Sequence, residues 1–195
     1  HPFRQRVAEA PREQAVHAVA RRRSTRIIRM SKKTIVLDHE RVQRKLKRIA
    51  HQLHEEHHGE HEIVLVGVMP RGKEFAERLA GLLRTISTAE VTVQGLSLDK
   101  DHPLQHPITL SGDPEALKDR VVILVDDVLM SGRTLMHAAS HLVRTDPRIL
   151  STVVLVDRLH RTFPIRADIV GLTLSTTLQE HITVEMGKED VVYLT

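Results

Sequence analysis

Apolar residues between Thr34 and Leu194 fall into short continuous runs, separated by longer stretches in which they recur at helical spacing. The runs predict strands at Ile35–Leu37, Glu62–Val68, Val91–Leu96, Arg120–Asp126, Ser151–Asp157, Ile169–Leu174, Ile182–Met186 and Val191–Leu194. Asp38 stands where a helix needs an N-cap, and Val42, Leu46, Ile49 and Leu53 follow at i, i+4, i+7 and i+11. One buried stripe on a helix running to about His57 is the consequence. Further helices are expected over Lys73–Leu83 and Thr134–Val143. Strands alternating with helices imply crossover connections, hence an α/β fold: one doubly wound, mostly parallel sheet with helices on both faces. Residues 97–118 interrupt this rhythm with a long, polar, proline-containing stretch, and loops of that length are usually functional.

Composition narrows the classes. The 195 residues are 41% hydrophobic, enough for a sizeable core, and hold no Cys. That excludes disulfide scaffolds, thiolate metal sites and a cysteine nucleophile, and it suits a reducing cytoplasm. No apolar run approaches membrane-spanning length, so no membrane partner is expected. Aromatic residues are 2% of the chain, too few for stacking single-stranded bases. The net charge of +4 is unevenly placed. Residues 1–29 carry eight arginines against Glu9 and Glu13, a net +6, while the remaining 21 basic and 23 acidic side chains give −2. The expectation is an Arg-rich, disordered extension over 1–29, with Met30 opening the natural chain and one domain over 30–195. A basic arm for nucleic acid or part of a targeting sequence is the alternative.

Two strand ends carry chemistry, and ligands of open parallel sheets bind beyond such carboxyl ends. The first is Val125-Asp126-Asp127-Val128-Leu129-Met130-Ser131-Gly132-Arg133-Thr134. Its Ser-Gly-Arg-Thr turn opens a helix and offers N–H groups and hydroxyls to a phosphate. The adjacent carboxylates would repel a bare anion but suit sugar hydroxyls or a hydrated divalent ion. Two acids alone would be explained by a capped helix after a strand; the ten-residue pattern favours a sugar-phosphate receptor. The second end is Gly67-Val68-Met69-Pro70-Arg71-Gly72-Lys73-Glu74. It misses the nucleotide P-loop because Glu74 stands where a hydroxyl residue would ligate Mg²⁺.

The first stretch resembles the phosphoribosyl-diphosphate (PRPP) signature of type I phosphoribosyltransferases. The resemblance implies that Met130, Ser131, Gly132, Arg133 and Thr134 hold the 5′-phosphate. Asp126 and Asp127 would take the ribose hydroxyls and, through water, Mg²⁺. Arg71, Gly72 and Lys73 resemble the diphosphate loop, for which a cis peptide at Pro70–Arg71 is expected. Phosphoribosyltransferases of 6-oxopurines carry a third acid where this chain has Met130. The stretch Val156-Asp157-Arg158-Leu159-His160-Arg161-Thr162-Phe163-Pro164-Ile165-Arg166-Ala167-Asp168-Ile169-Val170-Gly171 is similar to that of the bifunctional pyrimidine operon attenuation regulator/uracil phosphoribosyltransferase family.

That family implies phosphoribosyl transfer from PRPP to uracil, giving UMP and diphosphate, with Asp126, Asp127, Arg71 and Lys100 as the catalytic set. Backbone groups near Asp157, Arg158, Ile169 and Val170 would hold the base under a hood of about 157–186. A mobile loop of about 97–111 would bring Lys100 to the diphosphate. The family also implies a homo-oligomer, dimer or higher, and a specific mRNA leader as a second partner. A nucleotide-sensing RNA-binding attenuator, with Lys45, Lys47, Arg48 and His51 as its basic face, is the alternative function; transfer to a different base is another. Leu159 replaces the family's Gly at the hood turn, Lys100 replaces an Arg and so lacks its bidentate fork, and Lys47 replaces a Thr. His51, His54, His58 and His61 step along one expected helix face beside His57, and read as a polar, solvated helix end rather than a zinc or nickel shell.

Overall fold

The computed structural model describes residues 33–177 and 180–195, and the extension assigned to residues 1–29 lies outside them. Six strands form the main sheet in the order β4-β3-β2-β5-β6-β7. They are β2 (Glu62–Val68), β3 (Glu90–Ser97), β4 (Thr109–Leu110), β5 (Val121–Leu129), β6 (Ile149–Asp157) and β7 (Ile169–Thr173). All neighbours run parallel except β4, which turns back antiparallel on β3. The two-residue β4 lies inside the stretch expected to be loop.

Helices α1 (His39–Glu56) and α2 (Arg71–Ile86) cover one face of this sheet, and α3 (Arg133–Val143) covers the other. Alternation along the strands divides the core accordingly. Ile63, Leu65, Ile123, Val125 and Leu155 pack with α1 and α2, whereas Val64, Val66, Val122, Leu124 and Val154 pack with Leu135, Ala138 and Leu142. Asp38 caps α1 by accepting the Arg41 N–H at 2.9 Å. Val42, Leu46, Ile49 and Leu53 are all buried. The helix stops at Glu56, so His58 and His61 lie beyond it and the histidines do not form one helix face. His57, the C-cap residue, is buried with neither ring nitrogen hydrogen-bonded. Among the described residues, no helix is long and apolar enough to cross a membrane.

A second sheet is antiparallel, ordered β1-β9-β8, from β1 (Thr34–Leu37), β9 (Val191–Leu194) and β8 (Ile182–Glu185). It therefore draws on both ends of the domain rather than on a continuous segment over 157–186. Within that range, β7 belongs to the main sheet. Asp190 fastens the β8–β9 turn to the helices. Wholly buried, it pairs with Arg78 of α2 at 2.8 Å and accepts from Gln43 of α1 at 2.7 Å. Its carboxylate also accepts the Gly187 N–H at 3.1 Å, and its own N–H donates to His39 Nδ1.

Candidate active site

Strand β5 runs on through both acids to Leu129, three residues past the expected end. Asp126 and Asp127 are thus strand residues near the carboxyl edge, both buried. The turn that follows depends on Gly132. Its φ of +86° is left-handed, and a Cβ there would sit 2.9 Å from Ile165 Cγ2. The Ser131 carbonyl accepts N–H groups from Thr162 and Phe163 at 2.9 and 3.0 Å, tying the turn to the segment after β6. Ser131 Oγ accepts the Arg133 N–H. Among the described residues, the N–H groups of Thr134 and Leu135 in the first turn of α3 have no protein acceptor. They point where an anion is favoured by the helix dipole.

Helix α2 begins at Arg71, two residues before its expected start, so Arg71, Gly72 and Lys73 form its first turn. The cis bond is Met69–Pro70, one residue earlier than expected: it precedes the proline, whose tertiary amide makes cis accessible. Gly72 lets this turn touch β5, since a Cβ would stand 2.7 Å from the Val125 carbonyl oxygen and 3.1 Å from Asp126 Cα. Two cations approach the acids from this side. Arg71 Nη1 lies 3.9 Å from Asp127 Oδ2, and Lys100 Nζ lies 4.0 Å from Asp126 Oδ1. Asp99 shapes the loop around Lys100 by accepting the Asp101 and His102 N–H groups, each at 2.9 Å. The His102 bond is the main reason its carboxyl titrates below the usual range. Burial, and then the neighbouring Asp127 charge, push the Asp126 carboxyl well above the ordinary range, with Lys100 opposing.

Arg71, Lys100, Asp126, Asp127, Met130–Gly132 and Thr134 all line one cavity of about 480 Å³. Arg133, Gly72 and Lys73 flank it without lining it, and the Lys73 ammonium turns to Glu77 at 3.6 Å. Among the described residues, no three His, Asp or Glu side chains gather as a direct metal shell. The two buried acids, whose nearest cations stand 3.9 and 4.0 Å away, fit a hydrated divalent ion shared with substrate oxygens.

The expected base-binding groups fare differently. Arg158 lines the cavity, buried, with Nε donating to Thr176 Oγ1 and Nη2 to the Thr177 carbonyl. Its main-chain N–H is taken by the Leu129 carbonyl. Asp157 does not line the cavity. Its carboxylate accepts the Leu159 N–H and pairs with Arg161, and its carbonyl accepts the Leu174 N–H. Ile169 and Val170 open β7, level with Val153 and Val154, and are not brought to the cavity either. The Val170 carbonyl receives Arg48. The main-chain groups assigned to the base are therefore largely paired within the protein. Leu159 adopts the left-handed conformation that its glycine counterpart would enter freely, with φ +67°.

His160, Thr162 and Ile182 line the cavity without having been singled out as site residues. Only the Asp-Arg-Leu-His-Arg pattern hinted at the first, and nothing local marks Ile182, which arrives from the second sheet. On α1, the groove is lined by Arg41, Arg44, Lys45 and Arg48, spaced at i, i+3, i+4 and i+7. Lys47 and His51 do not line it, and Arg48 is spent on the Val170 and Gly171 carbonyls.

Comparison with known proteins places this geometry. A phosphoribosyl transferase domain model matches residues 33–188. Proteins named Bifunctional protein PyrR are similar along most of their length. The Alkaliphilus metalliredigens protein is 36% identical, covering 85% of this chain and 96% of its own. The Pelotomaculum thermopropionicum protein is 38% identical, covering 83% and 96%, and that of Bacillus subtilis is 35% identical, covering 83% and 94%. Among solved structures, a Bacillus anthracis hypoxanthine-guanine phosphoribosyltransferase superposes with TM-score 0.61 at 26% identity, covering 72% of this chain and 82% of that one. The hypoxanthine phosphoribosyltransferase of Trypanosoma cruzi shares the fold, with TM-score 0.67 at 19% identity over 82% and 95%. An acid pair at the end of the central strand, a phosphate-ready turn after it and this breadth of similarity make the chain a member of the type I phosphoribosyltransferase family, related to Bifunctional protein PyrR.

Proposed function

We propose that this protein transfers the phosphoribosyl group of PRPP to uracil, releasing UMP and diphosphate, with Mg²⁺ as cofactor. The observation that carries the reading is the cavity itself. One wall holds two buried carboxylates and two mutually separate cations, and another holds unpaired helix N–H groups. The C1–oxygen bond to diphosphate breaks, the bond from C1 to the uracil nitrogen forms, and that nitrogen's proton leaves to solvent. No protein nucleophile is needed; position and charge do the work.

Asp126 and Asp127 would hold Mg²⁺ through water, where it would supply positive charge to the departing diphosphate. Thr134 and Leu135 amides, with the Ser131 hydroxyl, bind the 5′-phosphate. Asp126 and Asp127 orient the ribose hydroxyls. Arg71 and the amides of Gly72 and Lys73 meet the diphosphate. The loop over 97–111 closes with Lys100 to exclude water, which would otherwise capture a ribosyl cation. Each base in a panel with PRPP and Mg²⁺ is assayed by diphosphate release. Release with uracil is expected; release confined to another base removes the uracil assignment.

The groove on α1, where Arg41 lies near Asp38, Arg44 pairs with Glu40, Arg48 is bonded to main-chain carbonyls and Lys45 has no protein partner among the described residues, favours a second activity, binding of a specific pyrimidine-operon leader RNA by an oligomer of this chain. A salt-dependent gel shift weakened by Lys45→Ala would support it, and equal affinity for unrelated RNA would remove it.

A further inference from the structure

The strand order separates the two ends of the reaction. Arg71 follows β2 and Lys100 follows β3, on one side of the β5 acids, whereas Arg158 and His160 follow β6 on the other. A displacement at C1 needs its leaving group and its incoming base on different sides. The β6 side is thus the base side, a statement that rests on the phosphoribosyl-transfer reading above.

The polar groups facing the cavity there have a defined sense. His160 Nε2 is hydrogen-bonded to the Thr176 carbonyl. A carbonyl oxygen accepts only, so Nε2 carries the hydrogen and, in the neutral ring, Nδ1 presents a lone pair. Arg158 is held by two bonds, from Nε and Nη2, which leaves Nη1 as a donor with no protein acceptor among the described residues. Neither Nη1 nor His160 Nδ1 is a buried unpaired atom; both residues line the cavity. Thr176 accepts from both side chains, one at its hydroxyl and one at its carbonyl, so a single residue fixes both orientations. Thr177 is in turn held by Glu180, which accepts its N–H and its hydroxyl at 2.7 and 2.9 Å.

We infer that Arg158 and His160 form a donor–acceptor pair that reads the carbonyl/N–H edge of the incoming base: Arg158 Nη1 donates to the ring carbonyl, and His160 Nδ1 accepts the adjacent ring N–H. Uracil offers that edge at O4 and N3. Cytosine offers the reverse, an amino donor beside a ring lone pair, and leaves both protein groups facing like partners. Donor set against donor and lone pair against lone pair disfavour cytosine at this edge.

The test compares uracil with 3-methyluracil, which lacks the N3 hydrogen, in the wild type and in His160→Leu and His160→Gln. His160→Leu is expected to raise the KM for uracil about tenfold or more while the KM for PRPP stays within about twofold, and to narrow the uracil/3-methyluracil preference. His160→Gln, which keeps an N–H for Thr176 and an oxygen for the base, recovers part of the loss. Calorimetric binding of UMP and its N3-methyl derivative to the same proteins gives the comparison without turnover. An unchanged uracil KM and preference in His160→Leu overturns the pair while leaving uracil transfer intact. So does a joint rise of both KM values that His160→Gln does not relieve. Preference of the wild type for cytosine overturns it as well. Turnover of hypoxanthine in place of uracil, with the same dependence on His160, replaces the uracil reading yet supports the pair.

Discussion

Replacing Gly72 by alanine probes how the diphosphate side of the site is built. The added Cβ would stand 2.7 Å from the Val125 carbonyl oxygen, 3.1 Å from Asp126 Cα and 3.3 Å from Asp126 Oδ1. Ordinary contact begins near 3.4 Å, so the first turn of α2 must retreat by roughly 0.7 Å or β5 must yield. The two nearest obstacles are backbone of the central strand and have no rotamer to change. Overpacking of this kind costs about 1–3 kcal/mol. The functional effect adds to the stability effect, because the same displacement carries Arg71 away from Asp127 and, on the proposed reading, widens the gap that the diphosphate must bridge. Misplacement approaching 1 Å lowers a positioned reaction on the order of 100-fold. Steady-state diphosphate release alongside urea unfolding measures both quantities. A variant within twofold of wild-type kcat/KM and within about 0.5 kcal/mol in stability would refute the claim that this close approach sets the site.

Three further outcomes are expected. The double change Asp126→Asn with Asp127→Asn should abolish PRPP binding by calorimetry while unfolding stays cooperative. Because the folded state raises the proton affinity of Asp126, its ionisation opposes folding as pH rises through the folded value, so the variant should be no less stable than wild type at neutral pH; retained PRPP affinity would remove the assigned role. Arg78→Met strands the buried Asp190 carboxylate and should cost about 3 kcal/mol in urea unfolding, with a cost below about 1 kcal/mol arguing against it. Burial lowers the proton affinity of His57, so its contribution to stability is full above about pH 6.5 and is lost as pH falls through the folded value. His57→Leu should therefore lose less stability than wild type between pH 7 and 5; parallel pH profiles would contradict this.

Much of the architecture was legible because periodicity reports burial. The α1 stripe, the Asp38 cap and the strands from β2 to β9 follow from it, with ends shifted by only a few residues. Exceptions have local causes. Strand β4 is two residues long, too short to carry a pattern. Strand β5 continues through its acids because the ladder to β6 extends to Leu129 opposite Asp157, which hydropathy does not record. In the site, spacing marked the acids and the turn, whose chemistry is local, while Arg71 followed from the family resemblance. The base side was harder to read, since it depends on which polar groups the tertiary structure has already consumed. Main-chain groups near Asp157 were expected to meet the base, but the Asp157 carbonyl is taken by the Leu174 N–H, whereas His160 acquires its orientation from Thr176, a contact no local pattern encodes.

The antiparallel ribbon joining β1 to β9 sets an order of construction. A chain emerging from the ribosome makes the acids and the phosphate turn first, but Ile182 and its neighbours take their place only after β9 has been synthesised and has zipped against β1. Until then the cavity beside Asp126 and Asp127 lacks that wall, so on the proposed phosphoribosyl-transfer reading a nascent or carboxy-terminally trimmed polypeptide would leave the sugar donor exposed to bulk water.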